Sequence, residues 1–146
     1  MENRGSGRRG RAPVVLVVDD DEGCRDEVRQ VLENAAYVVL EAPDGEEALR
    51  LLLSDETPVP MVILLDIWLP GMTGPEVLRI LRAHDRLARI PVILTSASHE
   101  FAGFAHNATE AGWIPKPFDS ATLLAEVGKR CGAEPSSGPA TVPAAG

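Results

Sequence analysis

Short apolar runs recur five times along the chain, and segments of helical length separate them. Several runs are continuously apolar, as in strands whose two faces are both covered by helices. The runs are VVLVV (14–18), YVVLEA (37–42), MVILLD (61–66), PVILTS (91–96) and the short WIP (113–115). Strands that alternate with helices in this way predict an α/β protein with a mostly parallel sheet.

The intervening segments carry the sequence marks of five helices. Asp44 is a candidate N-cap, and Pro75 is predicted at a first helical position, where its missing N–H costs nothing. Gly103 interrupts the fourth segment, which makes that helix the weakest prediction. The predicted helices are 22–34, 44–53, 74–84, 99–111 and, with Asp119 or Ser120 as its cap, 119–130.

Composition bounds the classes of function. The 146-residue chain is long enough for one domain, and its net charge of −8 argues against a general nucleic-acid binder. No apolar run approaches the roughly 20 residues that span a bilayer. Cys24 and Cys131 match neither a disulfide framework nor a metal spacing, so we expect reduced thiols and a cytoplasmic protein.

Both ends of the chain differ in composition from its middle. Residues 1–12 are rich in Arg and Gly, and residues 132–146 lack apolar periodicity. We therefore expect a basic, disordered N-terminal arm, one folded domain over residues 13–131 and a disordered C-terminal tail. A single-domain protein is the expectation that follows.

Polar residues follow four of the five predicted strands at the point where each strand ends. They are Asp19 and Asp20 after the first, Asp66 at the end of the third, Thr95 and Ser96 at the end of the fourth, and Lys116 after the fifth. The carboxyl ends of parallel strands share one edge of the sheet, where ligands bind. Converging carboxylates favour Mg²⁺, and a metal ion beside an ammonium group suits phosphoryl transfer. Asp66 is the best candidate for the nucleophile, because it stands apart from the acidic run.

The order and spacing of these motifs resemble the receiver domain of bacterial two-component response regulators, in its free-standing, chemotaxis-type form. The motifs are VLVVDDD (15–21), LLDIWLPGMTG (64–74), PVILTSA (91–97) and WIPKPF (113–118). Asp66 and Ser96 lie 30 residues apart, and Ser96 and Lys116 lie 20 apart. The resemblance implies a doubly wound, flavodoxin-like parallel sheet with strand order 2-1-3-4-5 and five helices.

The resemblance also implies a phosphoacceptor and a metal site. Asp66 would accept a phosphoryl group from a histidine kinase or a histidine phosphotransfer protein. Asp19, Asp20 and Asp66 would bind Mg²⁺ together with the backbone carbonyl of Trp68. We further hypothesise that the bulk of Trp68 hinders the water that hydrolyses the acyl phosphate, which would prolong the signal.

The same resemblance implies a switch. Lys116 would pair with the phosphoryl group, Ser96 would swing towards it, and Trp113 would report the movement by its rotamer. The Lys116–Pro117 peptide bond would be cis. Output would pass through the fourth helix, fifth strand and fifth helix to a downstream protein or an onward phosphorelay.

The resemblance leaves the assembly as a monomer or a phosphorylation-dependent dimer. We expect no direct contact with nucleic acid or membrane. We also expect no enzymatic activity beyond weak autophosphorylation and autodephosphorylation.

Two other functions stay open. A haloacid-dehalogenase-type phosphatase uses an Asp-x-Asp pair, which Asp19 and Asp21 supply, but Gly23 stands where that family has Thr or Val. That family also has a late acidic pair, and no Asp-Asp occurs after residue 96. The other alternative is a receiver-like interaction module that is never phosphorylated. A nucleotide-binding module is weaker still, because no Gly-rich phosphate loop follows any strand.

Overall fold

A computed structural model describes residues 13–97 and 112–131 and contains a parallel sheet with the strand order β2-β1-β3-β4-β5. The strands are β1 (Val14–Val18), β2 (Val38–Ala42), β3 (Val62–Asp66), β4 (Val92–Ser96) and β5 (Gly112–Pro115). The helices within the described ranges are α1 (Glu22–Asn34), α2 (Gly45–Leu53), α3 (Gly74–Arg82) and α4 (Ser120–Cys131). The predicted doubly wound fold and its strand order are confirmed.

Two apolar layers explain why the strands are apolar on both faces. One layer joins the sheet to α2 and α3, and its members include Leu16, Leu65, Leu94, Leu52, Val77 and Leu81. The other joins the opposite face to α1 and α4, and its members include Val17, Leu64, Ile93, Val28, Leu32, Leu123 and Val127. Successive strand residues therefore enter different layers, as the pleat of a strand requires.

Aspartates cap the N-termini of α2 and α4, as the sequence predicts. The side chain of Asp44 accepts a hydrogen bond from the backbone N–H of Glu47 at 2.8 Å. Asp119, one of the two residues proposed as a cap, accepts from the backbone N–H of Thr122 at 2.8 Å. Each carboxylate satisfies an N–H that has no partner inside its helix, which fixes the first helical residue.

The start of α3 differs from its prediction by one residue. Thr73 is the N-cap, and its capping box with Glu76 makes Gly74 the first helical residue. Pro75 therefore occupies the second helical position rather than the first. A Cβ at position 74 would lie 2.4 Å from the carbonyl oxygen of Asp66, so only glycine allows the helix to begin this close to β3.

Strand boundaries also shift by one residue. β2 begins at Val38 rather than Tyr37, because the backbone N–H of Tyr37 donates to the carbonyl of Leu32 at the end of α1. The predicted helix 99–111, the arm 1–12 and the tail 132–146 lie outside the described residues. None of the helices that are described is long and apolar enough to cross a membrane.

Candidate functional site

Three strands deliver charged side chains to one point at the carboxyl edge of the sheet. The ammonium nitrogen of Lys116 lies 2.7 Å from Oδ2 of Asp19 and 3.2 Å from Oδ2 of Asp66. Oxygen atoms of Asp19, Asp20 and Asp66 all lie within 4.8 Å of one another. The parallel topology thus brings together residues that are far apart in the sequence, as their positions at the strand ends predict.

Asp19 is held by hydrogen bonds on its side chain and on both of its backbone groups. Besides the bond from Lys116, its Oδ1 accepts from the backbone N–H of Asp21 at 2.9 Å. Its own N–H donates to the carbonyl of Ala42 at 3.1 Å, and its carbonyl accepts from Arg25 at 2.6 Å. The side chain is buried, with the whole residue 4% exposed.

Asp66 is buried to a similar extent but accepts fewer short hydrogen bonds. It is 6% exposed, and its Oδ1 accepts from the backbone N–H of Trp68 at 3.1 Å. The other oxygen faces Lys116 at the longer distance of 3.2 Å. Asp66 also pairs with Thr95 in the register of β3 and β4.

The pKa values of these groups shift in different directions. Burial raises the pKa of Asp19, but the hydrogen bonds from Lys116 and from Asp21 outweigh it, so the pKa lies below its ordinary value. Burial also raises the pKa of Asp66, and with the adjacent charge of Asp19 it prevails over Lys116, so the net shift is upward. Burial lowers the pKa of Lys116, but its contacts with both aspartates raise it overall. The raised pKa of Lys116 therefore favours its charged form.

The donor set fits a hard divalent cation. Asp19, Asp20 and Asp66 offer oxygen ligands only, and Lys116 cancels one of their three charges. Mg²⁺ binds through a few carboxylates and keeps several waters, so two buried carboxylates and one exposed carboxylate suit it. The backbone carbonyl of Trp68 as a further ligand stays a prediction.

The two residues predicted to form the switch lie on adjacent strands. Trp113 pairs with Leu94 in the register of β4 and β5 and packs against the layer to which Leu94 belongs. Strand alternation places Ser96 on the same face as Leu94, and Ser96 is buried. The carbonyl of Ser96 accepts from the backbone N–H of Lys116 at 2.8 Å. The switch pair thus shares one face of the sheet.

Two further features bear on the switch. The indole nitrogen of Trp113 is buried and has no hydrogen-bond partner within the described ranges. The Lys116–Pro117 peptide bond is cis, as the resemblance implied.

The sequence reasoning missed Arg25 and Glu41. Arg25 donates to the carbonyl of Asp19 and, through Nε, to Glu41 at 3.1 Å. Two sequence features could have drawn attention to them. Arg25 is a cation near the start of a helix, where the helix dipole disfavours it, and Glu41 is the one charged residue of β2. Neither signal identified the contact, because the pairing depends on how α1 packs against β2.

The receiver domain of response regulators has a family model that matches residues 15–128. Response regulator MprA of Mycolicibacterium vanbaalenii is 38% identical over 115 residues, which cover 77% of this chain and 48% of that protein. The DNA-binding dual master transcriptional regulator RpaA of Synechocystis sp. is 35% identical over 119 residues, which cover 79% of this chain and 47% of that protein. This chain therefore spans about half the length of these relatives.

Solved structures of similar extent match the fold. The chemotaxis response regulator CheY4 of Vibrio cholerae superposes with a TM-score of 0.73 at 30% identity, covering 82% of this chain and 99% of that chain. A putative response regulator from Chloroflexus aurantiacus superposes with a TM-score of 0.76 at 25% identity, covering 84% and 100%. Both likenesses take in nearly the whole of the solved chain.

Proposed function

Because this chain belongs to the receiver domain family of response regulators, we propose that Asp66 accepts a phosphoryl group from a histidine kinase or a histidine phosphotransfer protein. The observation that supports this proposal is the position of Asp66. It is a buried carboxylate in contact with Lys116, and its oxygen lies within 4.8 Å of those of Asp19 and Asp20. The proposed nucleophile, a cation and the proposed metal ligands thereby share one edge of the sheet.

The proposed step moves one phosphoryl group between two proteins. A bond forms between a carboxylate oxygen of Asp66 and phosphorus, and the bond between phosphorus and the donor histidine nitrogen breaks. The histidine nitrogen keeps that electron pair, and the product on this chain is an acyl phosphate. The raised pKa of Asp66 supports this role, because its lone pairs are less stabilised than those of Asp19.

Lys116 and the acidic residues would prepare the site for this charge. Asp19, Asp20 and Asp66 would hold Mg²⁺, which when bound neutralises charge on the phosphoryl oxygens. The ammonium group of Lys116 already lies against Asp66, so a phosphoryl group there would gain a second cationic partner. Asp19 keeps Lys116 in place through the shorter of its two contacts.

Phosphorylation would then shift the conformation of the β4–β5 face. Ser96 would turn its hydroxyl towards the phosphoryl group, and Trp113 would follow. The buried indole N–H of Trp113 has no hydrogen-bond partner among residues 13–97 and 112–131, and a buried N–H without a partner costs about 1–3 kcal/mol, which supports a second position for that ring. Phosphorylation would bias the balance between the two arrangements, and a partner protein or the next member of a phosphorelay would read it.

The remaining details of the proposal concern the whole protein. We propose a response regulator that acts in the cytoplasm, as a monomer or a phosphorylation-dependent dimer, without direct nucleic-acid binding. Its thiols, Cys24 and Cys131, are unpaired, which suits a reducing compartment. A groove of about 750 Å³ lies between α1 and α4, and Lys116 is among the residues that line it.

No observation favours the phosphatase alternative. That mechanism would need the carboxylate of Asp21 as an acid directed at the substrate. Instead, Oδ1 of Asp21 caps α1 by accepting from the backbone N–H groups of Gly23 and Cys24 at 2.9 and 3.3 Å. The second residue of the Asp-x-Asp pair is therefore occupied in starting a helix.

The test is the intact mass of the protein after incubation with acetyl phosphate, with and without Mg²⁺. We expect one phosphoryl adduct that requires Mg²⁺, is absent from Asp66→Ala and persists in the exposed control Asp85→Ala. An adduct on Asp66→Ala would show that the acceptor is wrong. The absence of any adduct on the folded protein would favour the unphosphorylated interaction module.

A further inference from the structure

The peptide group that joins Asp19 to Asp20 is fixed by a side chain from α1. The Nη1 atom of Arg25 donates to the carbonyl oxygen of Asp19 at 2.6 Å. The N–H of Asp19 continues the ladder with β2 by donating to the carbonyl of Ala42 at 3.1 Å. The chain is thus held immediately before the residue that supplies the exposed carboxylate of the site, Asp20.

Arg25 is itself held from the far side. Its Nε donates to Oε1 of Glu41 at 3.1 Å, and the other carboxylate oxygen of Glu41 accepts from Arg29 at 2.9 Å. The side chain of Arg25 is 16% exposed and that of Glu41 is 27% exposed, so water screens this pair only in part. A series of hydrogen bonds therefore connects Arg29, Glu41 and Arg25 to the backbone carbonyl of Asp19.

The geometry accounts for an arginine at this position. Arg25 is the fourth residue of α1, and long helical side chains point back towards the helix N-terminus, where the Asp19 carbonyl lies. The helix dipole opposes a cation there, and Glu41 offsets that cost. A planar guanidinium can serve two acceptors at once in a fixed fork, whereas an ammonium group cannot match both directions.

The position of the Asp20 carboxylate depends on the hydrogen bonds that hold the backbone of Asp19. Its carboxylate is exposed and has no hydrogen-bond partner among residues 13–97 and 112–131. Asp19 and Asp66, in contrast, are each fixed by Lys116. The backbone of Asp19 therefore sets where the third metal ligand lies.

We infer that Arg25, anchored by Glu41, is a positioning residue for the metal site, because it fixes the Asp19–Asp20 peptide and so places the carboxylate of Asp20. This inference rests on the proposed function, in which the three carboxylates bind Mg²⁺. It assigns to Arg25 no contact with the metal or with the phosphoryl group.

Positioning by Arg25 and simple electrostatics predict opposite changes in Mg²⁺ affinity when Arg25 is removed. Arg25 is a cation close to a cation-binding site, so removing its charge alone should tighten Mg²⁺ binding. If Arg25 acts by positioning Asp20, removing it should weaken Mg²⁺ binding despite the gain in negative potential. Partners that orient metal ligands typically contribute about 10–100-fold to metal affinity.

The experiment is a Mg²⁺ titration of the full chain, followed by NMR through the backbone amides of residues 19–21. Arg25→Met should bind Mg²⁺ about tenfold more weakly than the wild type. The matched control is Arg29→Met, which removes an arginine from the same helix and from the same glutamate but leaves the Asp19 carbonyl bonded. Its affinity should stay close to that of the wild type.

Two more variants keep the inference testable if Arg25→Met does not fold. Arg25→Lys keeps the charge without the fork and should bind Mg²⁺ more weakly than the wild type. Glu41→Gln should also weaken binding, because it loosens the anchor of Arg25. Urea unfolding of each variant separates a loss of stability from a loss of affinity in the folded protein.

The Mg²⁺ affinities of the variants test the role of Arg25, the role of Glu41 and the metal site separately. Wild-type or tighter affinity in Arg25→Met, or wild-type affinity in Arg25→Lys, would overturn the positioning role. Wild-type affinity in Glu41→Gln would overturn the anchoring by Glu41. A wild-type protein that binds no Mg²⁺ would overturn the proposed metal site itself, which the titration of the unmodified chain shows before any variant is made.

Discussion

The carboxyl ends of β1 and β3 each present a buried aspartate to the same lysine, yet the two carboxylates have different surroundings. Asp19 accepts a 2.7 Å bond from Lys116 and a 2.9 Å bond from a backbone N–H. Asp66 accepts longer bonds from Lys116 and from Trp68. Their pKa values shift in opposite directions as a result. Similar burial therefore does not give similar pKa shifts, because the hydrogen bonds to Asp19 are shorter than those to Asp66.

Removing Lys116 should abolish the difference between Asp19 and Asp66, because both carboxylates lose the same cation. Lys116→Met leaves two buried carboxylates without their cation, which raises the pKa of both. Loss of one partner of a buried ion pair costs about 3 kcal/mol, so the free energy of unfolding at pH 7 should fall by that amount. Urea unfolding measures it.

The pH dependence gives this prediction a second check. Carboxylates whose folded pKa exceeds the unfolded value destabilise the fold once the pH rises above the unfolded value. The cost of Lys116→Met should therefore shrink as the pH falls and protons neutralise both groups. The control is Lys129→Met, whose exposed pair with Glu126 contributes at most about 1 kcal/mol. An equal cost in both variants would contradict the account.

Neutralising Asp19 and Asp66 one at a time should change the free energy of unfolding in opposite directions. Asp19→Asn loses charge-assisted hydrogen bonds and should destabilise the protein by about 2 kcal/mol at pH 7. Asp66→Asn removes a charge next to Asp19 and should stabilise it by about 1 kcal/mol. Urea unfolding of both variants beside the wild type measures the difference.

The sign of each pH dependence follows from the shifts. The lowered pKa of Asp19 gives stability that is present above its unfolded pKa and disappears as the pH falls through the folded value. The raised pKa of Asp66 means that its ionised carboxylate destabilises the fold above the unfolded pKa. This destabilisation disappears in acid, where the group is protonated. Both variants should therefore approach the wild type in acid. Changes of the same sign at pH 7 would sink the distinction between the two aspartates.

The fold and the gathering of the polar groups could be predicted from the sequence, because both follow from patterns along the chain. Continuous apolar runs indicate a parallel sheet covered on both faces, and a parallel sheet brings Asp66 and Lys116 to one edge. The contrast between Asp19 and Asp66 could not be predicted, since it depends on distances of 2.7 and 3.2 Å. The link from Arg25 to Asp19 was missed for the same reason.

Substitution of Trp68 should act more weakly than the other changes, and it should affect only the lifetime of the phosphoryl group on Asp66. Trp68 follows Asp66 by two residues, its backbone N–H donates to Oδ1 of Asp66 at 3.1 Å, and its side chain is half exposed. Trp68→Ala should speed Mg²⁺-dependent loss of the phosphoryl group several-fold by admitting water, and Trp68→Asn should act likewise. Decay of the purified phosphoprotein, followed by mass, measures the rate. The control Ile80→Ala changes an exposed residue of α3 and should leave the rate unchanged; unchanged or slower decay in the Trp68 variants would remove the hypothesis.

We expect the phosphoryl group on Asp66 and not on Asp19, which is buried to a similar extent. The most direct measurement is reduction of the phosphorylated protein with borohydride, which converts an aspartyl phosphate to homoserine, followed by peptide sequencing by mass. We expect homoserine at position 66 and unmodified aspartate at positions 19, 20 and 21. Homoserine at any of those three positions, with Asp66 intact, would contradict it.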